Sequence, residues 1–331
     1  MIREADRLLD RLRAIHASLR DDTLAAVERS AHDLEQLAKV AGSEGGDTIF
    51  AIDRATEAGL LGHFEAIARE WPLLLVAEGL GETGQTILPR DASPEIVVIV
   101  DPIDGTRGFM YQKRPAWILT GVAPFSPAGA RLSQIELAVQ TEIPLLKQHL
   151  SDSLWVAADG RPGGERLNRL SGERQRLSTR PSRATTIEQG FGNLSRFFPG
   201  MRALLGDIDD RLTERLLGPM PPGRALSFED QYISSGGQLF ELMMGHDRWC
   251  ADLRPLVWAT KGARGLCCHP YDLATARIAQ AASVIVTGAH GEPLDAPLDA
   301  ETDVAWIGYA NDAIRRQVEP ALQALLSEYG L

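Results

Sequence analysis

The sequence predicts an α/β fold, and three observations carry that expectation. Ile96 to Val100 is five consecutive β-branched residues, IVVIV, an unbroken apolar run of the kind that forms a strand buried on both faces. Leu8, Leu9, Leu12, Ile15 and Leu19 fall at helical spacing. Between Leu73 and Thr287, further apolar runs of strand length are separated by turns rich in Gly, Pro and polar residues.

In chain order, the first helix gives way to a second amphipathic run from Leu24 to Val40, which Gly42 to Gly46 breaks. A third helix spans Arg54 to Glu70 and stops at Trp71-Pro72. Strands are expected over Leu73 to Ala77, Ile96 to Val100, Trp117 to Val122, Ile135 to Gln140 and Leu154 to Ala158, with a loop reaching Pro94 after the first. Gly160 to Ser182 is polar and rich in Arg; it reads as a solvated hairpin leading to a domain junction. A strand is expected over Thr185 to Gln189, helical or loop material over Ser195 to Leu216, and a turn at Gly218 to Gly223. Ser234-Ser235-Gly236-Gly237 opens an apolar helix through Met244, and Arg248 to Asp252 is a strand. Cys267-Cys268-His269-Pro270 reads as a strand ending in a turn, before a helix from Asp272 to Ala282 and a strand from Val284 to Thr287.

Composition sets wider bounds. At 331 residues and 44% hydrophobic content the chain suits two domains sharing an interface, or one large α/β body. A formal net charge of −11 argues against nonspecific nucleic-acid binding, which needs clustered Lys and Arg. It does not exclude an anionic substrate, because bound cations reverse the local field. Met1 to Asp22 is charged throughout and unlike a secretory signal, and no segment is long and apolar enough to span a membrane, so a cytosolic location is expected. Cys250, Cys267 and Cys268 cannot all pair, in keeping with a reducing compartment. A zinc site at Cys267, Cys268, His269 and Asp272 is disfavoured, since the C-x-x-C spacing is missing.

The chemistry concentrates where the apolar run ends, in Asp101-Pro102-Ile103-Asp104-Gly105-Thr106. Two carboxylates held at a strand end repel each other and call for a shared proton, a basic partner or a cation. Arg107 is the only nearby base. A hard cation such as Mg²⁺ takes oxygen ligands, so Asp101, the carbonyl of Ile103 and Asp104 are candidate donors. A calcium loop does not fit, because its alternating acidic positions are missing and Pro102 intrudes.

The segment DPIDGT resembles the signature of the inositol monophosphatase superfamily, Mg²⁺-dependent and often lithium-sensitive sugar and nucleotide phosphatases. Other landmarks come in the family's order: Asp53 in AIDRATE, Glu78 in LLLVAEG, and Tyr271-Asp272-Leu273-Ala274 in place of Trp-Asp-x-Ala. The resemblance implies a layered α-β-α-β-α sandwich, sugar-phosphatase-like, with two sub-domains. Residues 1–183 would carry most metal ligands, and residues 184–331 would contribute Asp272 and the substrate pocket. It implies two or three Mg²⁺ ions per site, one held by Glu78, Asp101 and the Ile103 carbonyl, and a second by Asp101, Asp104 and Asp272. Thr106, oriented by Asp53, would position the attacking water, with Asp104 a further catalytic group. The Gly105 and Thr106 amides would receive the phosphate. Ser235, Gly236 and Asp252 would lie on the substrate side, although helix capping explains Ser235 and Gly236 equally well.

The implied activity is hydrolysis of a small phosphate monoester by a cytosolic homodimer. Inositol or sugar phosphate leads, followed by 3′-phosphoadenosine 5′-phosphate, histidinol phosphate and fructose bisphosphate. Departures accompany the matches. Gly79 replaces a second glutamate, with Glu82 three residues beyond as a possible substitute, and Gln280-Ala281-Ala282-Ser283 replaces Glu-Ala-Gly-Gly. The usual lysine before the first aspartate is missing, and Leu253 to Tyr271 is longer than expected. The lost acids motivate a second reading, a phosphatase-like regulatory protein that binds metal and ligand with little turnover.

Overall fold

The computed structural model describes residues 1–29, 40–44, 47–80 and 83–331, and side chains for 1–29, 59–80 and 83–331. Helix α1 (Ala5–Arg29) buries Leu8, Leu12, Ile15, Leu19, Leu24 and Val27. Leu24 and Val27 extend the first stripe, so no second helix begins at Leu24; the rest of that expected run, residues 30–39, lies outside the described residues. Gly42 sits within β1 (Val40–Glu44), which pairs with β2 (Asp47–Phe50). Helix α2 (Ala51–Ala68) follows, and then β3 (Leu73–Ala77), which has the predicted bounds. The expected loop after it contains β4 (Gln85–Leu88), an edge strand antiparallel to β3.

Then come β5 (Ile96–Asp104), α3 (Thr106–Met110), β6 (Ala116–Pro124) and β7 (Leu137–Ile143). Next are β8 (Leu150–Val156), β9 (Pro162–Asn168) and β10 (Arg174–Arg176), the last two forming the predicted hairpin. These strands make an eight-stranded sheet in the order β10-β9-β8-β7-β6-β5-β3-β4, in which only β3 and β5 are parallel.

The second half runs through β11 (Phe191–Leu194), α4 (Arg202–Leu217), α5 (Ser235–Met244) and β12 (Asp247–Asp252). It continues with α6 (Arg254–Thr260), a 3₁₀ turn (Pro270–Leu273), α7 (Ala276–Ala281), β13 (Ile285–Gly288), β14 (Trp306–Tyr309) and α8 (Asp312–Tyr329). Its four-stranded sheet has the order β11-β12-β14-β13.

Two predicted elements shift. The strand expected at Thr185 to Gln189 forms instead at β11, where glycines admit the neighbouring strand's side chains: a Cβ on Gly192 would lie 2.1 Å from Trp249 Nε1. The helix expected from Asp272 splits into the 3₁₀ turn and α7, and Cys267–Cys268 enters that turn without forming a strand.

Alternation along β5 shows why the sheet is buried on both sides. Ile96, Val98 and Val100 face Leu8, Leu12, Phe64 and Ile67 of α1 and α2. Val97 and Ile99 join a core with Leu239 and Leu242 of α5 and Ile278 of α7, which reaches Cys250 and Trp306 of the second sheet. The far face of that sheet, with Ala251 and Ile307, packs on Leu205 of α4, Val257 of α6 and Val318 of α8. The layers therefore run α-β-α-β-α.

Candidate metal centre

The β5–β6 register explains how Asp101 and Asp104 come to share a face. Asp101 opposes Leu119 and Asp104 opposes Trp117, so three steps along β5 match two along β6. That extra residue is a bulge, and it turns two side chains that a regular strand would send to opposite faces toward the same side. Pro102, with no N–H to give the ladder, suits the irregular position. Asp101 Oδ1 accepts from the Ile103 amide at 2.9 Å, and Thr106 Oγ1 donates to the Ile103 carbonyl at 2.8 Å. Gly105 is left-handed, φ 93°, and a Cβ there would come within 3.1 Å of Ser234 Cβ, so glycine is needed twice over.

The second half closes on Asp104. Its Oδ2 accepts from Ser234 Oγ and the Gly236 amide, each at 2.7 Å. Ser234 also caps α5, accepting from Gly237 N at 2.8 Å. A Cβ on Gly236 would lie 2.9 Å from Asp104 Oδ2, so glycine lets the helix start approach the carboxylate. Asp272 arrives on the 3₁₀ turn, with Oδ2 accepting from His269 N at 2.6 Å.

Carboxylate oxygens of Asp101, Asp104 and Asp272 lie within 4.8 Å of one another, the one group of this kind among the described residues. Burial and the neighbouring acids push the Asp101 carboxyl well above its ordinary range. Asp104 is raised to about 8, by burial first and then Asp272, and Asp272 to about 6 by burial. Among the described residues no lysine or arginine forms an ion pair with these carboxylates, and the His269 and Arg254 charges lower the Asp272 carboxyl only in part against its burial. Two buried carboxylates and one half-buried one, with suppressed ionisation, fit a hard divalent cation such as Mg²⁺.

Glu78 stands in the turn after β3, one step past the Ala77–Val100 pair, exposed, and its charge contributes to the Asp101 shift. It lies outside the 4.8 Å group. Asp53 belongs to α2, its side chain beyond the described part, and Glu82 lies outside the described residues. Ser235 turns its hydroxyl to Cys268 Sγ, 3.5 Å away. Asp252 is 1% exposed, and both its oxygens accept from the Arg254 guanidinium, with Nε to Oδ1 at 2.8 Å.

Sequence reasoning missed two residues here. Ser234 reads from sequence only as the start of the segment that opens an apolar helix. Arg254 ties β12 to the Leu266 carbonyl at 2.9 Å and lies 4.9 Å from the Phe197 ring, contacts that a sequence cannot display.

No protein-family model and no curated protein matches this chain in sequence. Solved structures do match it. Fructose-1,6-bisphosphatase of Leishmania major superposes with TM-score 0.70 at 12% identity, over 99% of this chain and 96% of that one. The extragenic suppressor protein SuhB of Bartonella henselae gives 0.60 at 15% identity, over 94% and 98%. Inositol monophosphatase of Anabaena gives 0.59 at 15%, over 98% and 96%. The chain therefore has the fold shared by inositol monophosphatase and fructose-1,6-bisphosphatase structures, as the DPIDGT resemblance implied.

Proposed function

We propose that the protein is a Mg²⁺-dependent phosphoric monoester hydrolase acting on a small phosphate, with inositol or sugar phosphates favoured. The observation that carries this reading is the Asp101–Asp104–Asp272 group, its first two members buried and the third half-buried, set at the carboxyl end of β5 where the two halves meet. These three carboxylates would hold Mg²⁺, with Glu78 and the Ile103 carbonyl as further donors. When bound, Mg²⁺ supplies acidity to an attacking water, neutralises phosphoryl oxygens and stabilises the leaving oxygen.

The chain's own residues do the rest. The Thr106 hydroxyl, held on the Ile103 carbonyl at 2.8 Å, positions the water, with Asp53 as its orienting partner. The backbone at Gly105 and Thr106, opening α3, receives the phosphate. Ser235, Gly236 and Asp252 border the alcohol, Asp252 through its pair with Arg254. The sub-domain boundary at 183/184 and a homodimer belong to the same reading. Gln280 does not favour the low-turnover alternative, because it lines a separate cleft with Arg277.

The test is phosphate release from a panel of inositol, sugar, nucleotide and amino-alcohol phosphates, with and without Mg²⁺. Mg²⁺-dependent release from an inositol or sugar phosphate is expected. Silence across the panel with Mg²⁺ binding intact would favour the binding-protein reading.

A further inference from the structure

A cleft of about 560 Å³ lies at the end of β6 away from Asp101 and Asp104, its wall reaching Leu273, next in sequence to Asp272. Trp117, opposite Asp104, marks the catalytic end of that strand, whereas Pro124, opposite Ile96, lines the cleft. One wall comes from Leu132 and Glu136, in the connection to β7 and the residue before that strand; the other from Leu273, Arg277, Gln280 and Leu294. The volume is that of a small-molecule pocket, typically about 300–1,000 Å³.

The polar groups in it are unevenly satisfied. Arg277 forms no ion pair among the described residues, and its guanidinium extends toward the β8–β9 turn, where a Cβ on Gly160 would lie 3.5 Å from Nη2. Glu136 is engaged elsewhere: its Oε2 accepts from the Ile2 amide at 3.0 Å. Gln280 stands three residues after Arg277 on α7, so the two share a helix face. A glutamate at 280, as the resemblance would place there, would pair with Arg277 at this spacing; glutamine leaves the cation uncompensated and adds an amide donor. Leu132, Leu273 and Leu294 are buried and form an apolar floor.

We propose that this cleft binds a small organic anion, a phosphate or a carboxylate. Arg277 and Gln280 supply the donors, and Leu132, Leu273 and Leu294 pack against its carbon skeleton. The site is independent of the phosphatase reading and needs no turnover to be detected.

Calorimetric titration of the full chain in EDTA tests it, with glycerol 2-phosphate as the phosphate probe and glutarate as the carboxylate probe. Without divalent cations the Asp101–Asp104–Asp272 site lacks the positive charge that would hold either anion. One probe at least is expected to bind at one site, and its identity decides between the two anion types. Binding should weaken about tenfold or more in both Arg277→Gln and Gln280→Glu, as the loss or neutralisation of a charge-assisted contact requires. Both variants alter half-buried or exposed side chains and should melt with the wild type. Equal affinity in wild type and variants, or no binding of either probe, would overturn the proposal.

Discussion

Asp104 accepts hydrogen bonds from Ser234 and Gly236 while standing within 4.8 Å of two other carboxylates, so its effects on stability and on chemistry oppose each other. Its folded-state pKa, about 8, lies above the ordinary 3.8, so the folded protein binds more protons than the unfolded chain between those values. Metal-free stability must therefore fall as pH rises through that window. Thermal melts in EDTA should show this decline from about pH 5 to pH 8. Asp104→Asn should lessen it, leaving the part owed to Asp101 and Asp272, and raise the melting temperature at pH 8, yet abolish Mg²⁺-dependent phosphate release. A variant that melts lower at pH 8 and retains turnover would refute both assignments. Gly236→Ala drives a Cβ to 2.5 Å from Leu119 Cδ2 and 2.9 Å from Asp104 Oδ2; overpacking of this kind costs about 1–3 kcal/mol, measurable by urea denaturation.

At the scale of elements, the junction depends on a cap and a clamp. Ser234 caps α5 and also donates to Asp104, so Ser234→Ala should cost about 0.5–2 kcal/mol and weaken Mg²⁺ binding together. A stability loss with unchanged Mg²⁺ affinity would leave only the cap. Arg254 joins β12, α6 and the chain before Cys267 through Asp252 and the Leu266 carbonyl. Arg254→Met strands a buried carboxylate, which costs about 3–5 kcal/mol, whereas adding Asp252→Leu should recover most of the loss. Strict additivity of the two changes in urea denaturation would contradict the pairing.

Legibility from sequence follows the same scale. β3 and α5 were readable because a compact apolar run and a Ser-Gly start declare themselves locally. β11 was not, since Gly190 and Gly192 have poor strand propensity and are present for close approach by Arg248 and Trp249. The bulge that aligns Asp101 with Asp104 is visible only in the register of β6.

For the whole molecule, five layers place the acidic group where the eight-stranded and four-stranded halves meet. No helix of the described residues is long and apolar enough to cross a membrane. Because Asp101 and Asp104 come from the first half and Asp272 from the second, a cation bound there joins the halves. Scanning calorimetry should accordingly show Mg²⁺ stabilising the fold, by about 2.7 kcal/mol at a hundredfold excess over its dissociation constant. Unchanged melting with and without Mg²⁺ would mean that the ion does not bind the folded state preferentially.

The most direct test is anomalous diffraction from crystals soaked in Mn²⁺, a hard cation with strong anomalous scattering. We expect a peak bounded by the carboxylates of Asp101, Asp104 and Asp272, lost in Asp104→Asn crystals. A fully soaked crystal with no peak there, or a peak that survives the substitution, would contradict the metal centre and with it the phosphatase reading.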